Sequence, residues 1–338
     1  MNFSEDFRRR PSVLRCGFFA HRRSTMGRWL ISLVIVTGLI GLATGGAALK
    51  ESPALLTIGI LPDVDSLPLV LALEAGLFEG AKLHVELVPF KSALERDTAI
   101  QTGKIDGGIS DILAAAFAQN AGFAVEIVSH TDGRYRLLAA PSSQMGNIHG
   151  LQGKAIGISP NTIIEYATDM MLQDAGMDSD NVDKVSILDI PLRLQLLLGG
   201  QLTAACLPDP LAALAASKGA IPIADSQDMQ LAPGVLVFSS RALGAKADTI
   251  RRLLAVYNEA IALLNANSSD IAFLEPLLDK AGFPAGVVQT MELPVYRPAA
   301  LPTRTEVDTV LAWLQEKELL HHTVTYEDLA AEELWQVK

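Results

Sequence analysis

Cysteine is nearly absent: Cys16 and Cys206 are the only two in 338 residues. Cys16 precedes a long apolar run, so a processed chain keeps Cys206 alone, which excludes an internal disulfide and a cysteine-built metal cluster. No His–Cys–carboxylate spacing points to a metal, and neither a Gly-x-Ser-x-Gly elbow nor an ordered Ser/His/Asp set is present. Neither a cofactor nor a catalytic group is therefore expected. Aromatic residues make up 6%, too few for a site of stacked Trp and Tyr, which argues against sugar recognition. Basic residues are scarce once the N-terminus is set aside. Residues 1–50 hold eight of the 27 Lys and Arg but two of the 38 Asp and Glu, which leaves 19 basic against 36 acidic residues and a net charge of −17 on the remainder. So acidic a surface argues against nucleic acid and anionic membrane as partners.

The N-terminus has its own composition. Seven arginines between Arg8 and Arg28 precede Trp29–Leu49, a run without a charge that closes on Gly45, Gly46, Ala47 and Ala48. Basic region, apolar core and small-residue end are the parts of a secretory signal. Gly46-Ala47-Ala48 is its cleavage site, and either Met1 or Met26 its start. The run is also long enough to cross a bilayer, which takes ~20 residues, so an uncleaved N-terminal anchor stays open beside the cleaved signal. Arg22-Arg23 has the form of a twin-arginine signal, but the residues after it fit that signal poorly. No Cys closes the run as a lipoprotein anchor requires. On either alternative, the chain beyond residue 50 is expected on the periplasmic or extracellular face of the membrane.

Hydrophobic residues make up 49% and charged residues 19%, a globular composition with material for two lobes. The chain also repeats itself at a distance of about 100 residues. Ile58-Gly59-Ile60-Leu61-Pro62 and a helical pattern ending at Gly76 are matched by Ile156-Gly157-Ile158-Ser159-Pro160 and a helical pattern ending at Gly176. Each is succeeded by a short alternating strand, a helix ending at Gly103 or Gly200, a further strand and an alanine-rich helix start. Each unit reads strand, helix, strand, helix, strand, which implies parallel sheets covered on both faces. Right-handed crossovers then place the strand-to-helix loops on one edge, where open sheets bind ligands. The expected fold class is α/β, two Rossmann-like lobes around a ligand cleft. Glycine inside a strand permits close approach, and Gly59 and Gly157 are read as structural.

Beyond the second unit, Val235–Phe238 reads as a strand, 246–265 as a helix, and a further helix runs toward Lys280. A last helix covers about Thr305–Leu319, and the tail 321–338 is expected to pack on the surface. The expected organisation is a signal or anchor over 1–50, a first lobe from 51–139 and 238–338, and a second lobe from 140–237. The connections near Leu138–Ser142 and Pro233–Ser239 would be the hinge.

Ile58–Pro68, Leu73–Phe78, Pro89–Asp97, Gly103–Asp111 and Leu151–Gly157 closely resemble the type II periplasmic binding proteins of the NMT1/THI5-like and nitrate/sulfonate/taurine group. The resemblance covers roughly residues 55–315. It implies a solute-binding protein that captures a small molecule for an ABC permease and its separate ATPase, acting by hinge closure and as a monomer. It does not name the solute, because members bind chemically unrelated ones. Pyridoxal- and iron-dependent enzymes of the thiamine-pyrimidine type share the fold, but the cysteine-rich motif they need is absent. A sensor subunit that presents its ligand to a membrane receptor is the remaining alternative.

Family ligand contacts fall on the strand-to-helix loops. Carried over by loop position, the candidates are Asp65, Ser66, Ser92 and Asp111 in the first lobe, and Asn161, Thr162, Asp189 and Asp209 in the second. Asp63, Ser110, Arg96 and Arg193 are secondary. The free N–H groups after Asn161-Thr162 attract anions, although both residues also cap helices without any ligand, with Glu165 able to complete the cap. Carboxylates converging from both lobes favour an amine, although Asp also caps turns. Amine-bearing, zwitterionic, pyrimidine and sulfonate-like solutes all remain open. His84, His321 and His322 are read as solvated, and Cys206 as core.

Overall fold

The computed structural model describes residues 54–283 and 287–336. The basic and apolar segment of residues 1–50, with the signal or anchor assigned to it, lies outside them. The chain opens with β1 (Leu55–Ile60), α1 (Leu67–Glu74), the single turn α2 (Leu77–Gly80), β2 (His84–Pro89), α3 (Ala93–Gln101), β3 (Gly107–Asp111), α4 (Ile112–Asn120) and β4 (Val125–His130). It crosses to a second sheet with β5 (Tyr135–Ala139), β6 (Ala155–Ile158), α5 (Ile163–Asp174), β7 (Asp183–Ser186), α6 (Ile190–Leu198), β8 (Ala204–Pro208), α7 (Leu211–Ser217) and β9 (Ile221–Asp225). It returns through β10 (Gly234–Ser239) and closes with α8 (Ser240–Ala266), α9 (Ile271–Lys280), α10 (Arg304–Glu316), α11 (Tyr326–Leu329) and α12 (Glu332–Trp335).

The two sheets have the same plan. Their strand orders are β2-β1-β3-β10-β4 and β7-β6-β8-β5-β9. The repeated units supply the parallel trios β2-β1-β3 and β7-β6-β8. The expectation of wholly parallel sheets needs one correction. β10 pairs antiparallel with β3 and β4, and β5 antiparallel with β8 and β9. Each of these strands enters directly from the other lobe, at the edge where the parallel strands end, so it must run back against them. The lobes exchange the chain over residues 131–134 and 226–233. Leu138 and Phe238, within the segments expected as hinge, therefore sit inside strands, a few residues past the crossings.

Duplication is also legible in the packing. Ile58 and Ile60 turn into the core beneath α1, as Ile156 and Ile158 do beneath α5. The intervening Gly59 and Gly157 face the next helix. A Cβ at Gly59 would lie 2.8 Å from Ile105 Cδ1 and 3.1 Å from Arg96 Cγ; one at Gly157 would lie 2.5 Å from Leu202 Cδ1 and 3.4 Å from Arg193 Cγ. Each glycine thus lets an arginine stem cross its strand toward the carboxyl edge of the sheet.

Helix starts obey the capping residues in the sequence. Ser92, Asp111, Thr162 and Asp189 accept from the first-turn N–H groups of α3, α4, α5 and α6. The C-terminal tail does more than lie on the surface. Tyr326, Leu329 and Leu334 are buried, and Ala331 N–H donates to the Ile127 carbonyl at 3.0 Å, which covers the outer edge of β4.

The close approach at Gly157 makes a stability prediction. Gly157→Ala should lower stability by about 1–3 kcal/mol through overpacking. Gly244→Ala, inside α8 with nothing near its added methyl, should raise it by about 0.5–1 kcal/mol. Chemical denaturation of the two variants measures both. Equal effects would mean that the arginine crossing imposes no steric constraint.

Candidate functional site

Between the carboxyl edges of the two sheets lies a cavity of about 30 Å³, lined from the first lobe by Asp63, Asp65, Arg96, Ser110 and Asp111 and from the second by Tyr135, Ser159, Thr162, Ile163, Ile164 and Ile190, among others. That is room for one or two water molecules.

Asp65 sits where the two crossing segments meet. Its Oδ1 accepts from Thr131 Oγ1 at 2.5 Å and its Oδ2 from the Tyr135 hydroxyl at 3.1 Å. The flanking backbone comes so close that a Cβ at Gly133 or Gly234 would collide with the carboxyl group. The segments are also joined to each other, Thr131 N–H to Gly234 carbonyl at 2.9 Å. Burial, reinforced by the neighbouring Asp63 charge, pushes the Asp65 carboxyl up to about 8. Asp63 is raised by burial too, although it accepts from the Ser66 backbone and hydroxyl. Burial lifts Asp111 to about 6 against the opposing pull of Arg96. Asp111 caps α4 through Ala114 N–H at 2.8 Å and lines the cavity opposite the start of α5.

Two buried arginines flank this edge, one per lobe. Arg96 Nη1 donates to the Ile109 carbonyl at 2.8 Å, and its Nε to Asp97 Oδ1 at 2.9 Å. Its Nη2 lies 2.7 Å from the same Asp97 oxygen but off line for a hydrogen bond, and at 3.9 Å from Asp111 it is too far to make one. Arg193 Nη1 donates to Ser159 Oγ at 2.6 Å and to the Ile187 carbonyl at 2.8 Å. Its Nε and Nη2 have no partner, and burial pulls the group down to about 10.

Of the candidate residues, the structure brings Asp65, Asp111 and Thr162 to the cavity. Ser66 turns inward to Asp63 and the Leu61 N–H. Ser92 and Asp189 are spent on caps beside the lining residues Ala93 and Ile190. Asn161 has a left-handed backbone, φ 57°, and an exposed side chain; its N–H donates to Glu165 Oε2 at 2.8 Å, which completes the cap. Asp209 is buried in the second lobe, paired with Arg136 at 2.5 Å and bonded by Ala213 N–H, so its carboxylate serves the fold there. Tyr135 and Ser159 line the cavity and were not among the candidates. Ser159 ends the repeated strand motif and was within reach of sequence reasoning. Tyr135 arrives on a crossing strand that carried no signal.

The lobes also touch outside the cavity. Val64 N–H donates to the Asp209 carbonyl at 2.9 Å and Ile190 N–H to the Lys91 carbonyl at 3.2 Å. At the other side α10 grips α5. The Trp313 ring stands edge-on to Tyr166, centroids 5.5 Å apart, and its Nε1 donates to Asp169 Oδ2 at 3.3 Å. Lys317 Nζ lies 2.8 Å from Asp169 and 3.4 Å from Glu165, and Lys184 pairs with the same carboxylates at 2.6 and 3.0 Å.

The model of the NMT1-like family matches residues 49–273. Among solved structures, the alkanesulfonate-binding protein SsuA from Xanthomonas axonopodis pv. citri, bound to MOPS, superposes with a TM-score of 0.69 at 22% identity, covering 84% of this chain and 98% of that one. The periplasmic aliphatic sulphonate binding protein SsuA from Escherichia coli gives 0.68 at 21% identity, with coverage of 85% and 94%. The periplasmic nitrate-binding protein NrtA from Synechocystis PCC 6803 gives 0.68 at 11% identity, with coverage of 84% and 87%. These likenesses establish the two-lobed periplasmic binding protein fold. A search of curated proteins finds no match.

Two predictions arise from this geometry. Because Asp65 has a higher pKa folded than unfolded, the folded chain holds the extra proton between about pH 4 and about pH 8, and stability falls as pH rises across that window. Asp63 and Asp111 act in the same sense. His130, lowered by burial and by Arg297, opposes them below about pH 6.5. The melting midpoint should therefore drop from about pH 5 to about pH 8, and Asp65→Asn should remove most of that slope. A slope retained in the variant would assign it elsewhere. Secondly, Lys317→Glu sets a third carboxylate against Asp169 and Glu165. It should part the lobes, seen as a larger radius of gyration in X-ray scattering and easier quenching of Trp313. Unchanged scattering would show that α10 does not hold the cleft.

Proposed function

The chain belongs to the NMT1-like family, and on that premise we propose that it is the extracytoplasmic solute-binding component of an ABC importer, taking a small polar molecule between its lobes by hinge closure. The observation that carries this reading is the cavity itself. It lies where both parallel trios end, both lobes line it, and buried polar groups from the two lobes face each other across it. A cleft of this kind does work by being more complete when shut around a solute than when open. The solved relatives from Xanthomonas, Escherichia and Synechocystis, sulfonate- and nitrate-binding proteins by name, support the same role. On this reading the protein acts as a monomer outside the cytoplasm, delivers its solute to a permease with a separate ATPase, and performs no chemistry on it. Residues 131–134 and 226–233, pinned together at Asp65, serve as the hinge. Asp65, Asp111 and Thr162 contact the solute, joined by Arg96, Tyr135 and Ser159.

A thermal-shift screen of the purified protein against amines, amino acids, sulfonates, pyrimidines and simple anions tests the reading. A solute at one hundred times its dissociation constant adds ~2.7 kcal/mol of stability, and Asp111→Ala should abolish the shift. No shift from any of these classes would overturn the proposed role.

A further inference from the structure

Asp65 has nothing positive beside it. It is 1% exposed, and among the described residues no Lys, Arg or His nitrogen lies within 4.0 Å of its carboxyl group. Its two partners are neutral hydroxyls, Thr131 on a crossing segment and Tyr135 on the second lobe. The titratable groups packed around it are acids and phenols: Asp63 on its own turn, Asp132 on the crossing segment, Tyr257 of α8 and Tyr296 ahead of α10. The cations stand one residue further out, Arg297 on Asp132 at 2.6 Å and Arg96 on Asp97 at 2.7 Å. The burial is made by both lobes. Asp65 lines the cavity opposite Ile163, Ile190 and Pro208 of the second lobe. The turn that carries it is tied to that lobe by the Val64 N–H, which donates to the Asp209 carbonyl at 2.9 Å.

We propose that Asp65 makes closure of the lobes a proton-taking step: the shut cleft holds it as the neutral acid, the open cleft as the hydrated carboxylate, and falling pH favours the shut form. The inference rests on the lobes opening and closing about the joint at Asp65. An ionised carboxylate with no cation beside it is costly in the shut cleft, whereas parted walls admit water to it, so ionisation and opening go together. Burial pushes the shut-form carboxyl up to about 8, and a hydrated aspartate titrates near about 4. Between these values the open-to-shut ratio rises with pH by up to about tenfold per unit, and outside them it levels off. At the α10–α5 contact Lys317, despite its burial, is raised by Asp169, and Glu165, despite its burial, is lowered by the Asn161 N–H, so both stay charged throughout that range. Asp111, raised by burial to about 6, lines the same cavity and acts in the same sense as Asp65. His130, lowered by burial and by Arg297, acts in the opposite sense on the acid side.

X-ray scattering of the protein without added solute, from about pH 4.5 to about pH 8.5, tests this, with far-UV circular dichroism to show that the chain stays folded. The radius of gyration should rise with pH and level off near about pH 8. Asp65→Asn keeps the shape of the group but has no proton to lose, and should stay shut across the range. Asp111→Asn keeps the helix cap and should retain most of the rise. Asp63→Asn serves if Asp65→Asn does not fold. Its remaining oxygen can still accept from the Ser66 N–H and hydroxyl, which both bond Oδ1. With the neighbouring charge gone, Asp65 ionises more readily in the shut cleft, so the rise should shrink. A constant radius in the folded protein overturns the inference, as does a rise that persists unchanged in Asp65→Asn. The solute-binding role stands or falls separately. A flat profile beside a hit in the thermal-shift screen removes the proton linkage alone, and pH-driven opening with no hit removes the role alone.

Discussion

The buried carboxyl of Asp65 is the joint on which the rest of the architecture turns. It is held by Thr131 on one crossing segment and by Tyr135 at the start of the strand that segment feeds, and it abuts Gly234, where the other crossing segment enters β10. A carboxylic acid buried this deeply keeps its proton unless a cation arrives. As a neutral acid it can accept from both hydroxyls, and the two crossing segments pack against it without a net charge between them. The glycines at 133 and 234 are dictated by that choice, since any side chain there would occupy the carboxyl group's place. The crossing of the chain between lobes, the cavity's polarity and the local backbone composition all meet at one buried acid.

Duplication supplies the frame, and the two lobes depart from it at their arginines. Gly59 with Arg96 and Gly157 with Arg193 are the same device used twice. In the first lobe the guanidinium is spent on Asp97 and a strand carbonyl. In the second lobe the corresponding group reaches Ser159 and stops short of any acid. The two walls of the cavity therefore differ: buried carboxyl groups stand on the first-lobe side, and hydroxyls with the start of α5 on the second.

Much of this was legible in the chain. The repeat announced both parallel trios, because strand glycine, helix-ending glycine and alanine-rich helix start recur in register. The caps announced the helix starts, because Ser92, Asp111, Thr162 and Asp189 have a local task that depends on their immediate neighbours alone. What was not legible is non-local. Nothing near Tyr135 says that it belongs to the second lobe or that it meets Asp65, some 70 residues away. Nor does a loop aspartate declare whether it faces solvent, ligand or a buried arginine. Asp65 and Asp209 look alike in sequence, yet one lines the cavity and the other is paired inside the second lobe with Arg136. β5 and the antiparallel direction of β10, whose residues 235–238 did read as a strand, were missed for the same reason, since strand direction depends on where the chain has come from.

The residues that join the lobes at α10 are not those that line the cavity. Lys317, Trp313 and Asp169 join the lobes without touching the cavity, and the Val64–Asp209 and Lys91–Ile190 backbone bonds do so nearer to it. Their contribution to the shut form is independent of which solute is present. A solute can move the balance between open and shut only by the difference in its affinity for the two. Stronger gripping by α10 therefore raises apparent affinity for every solute alike and improves discrimination among none of them. On the proposed role, discrimination must come from the groups that line the cavity itself, Asp65 and Asp111 on one wall and Ser159 and Thr162 on the other.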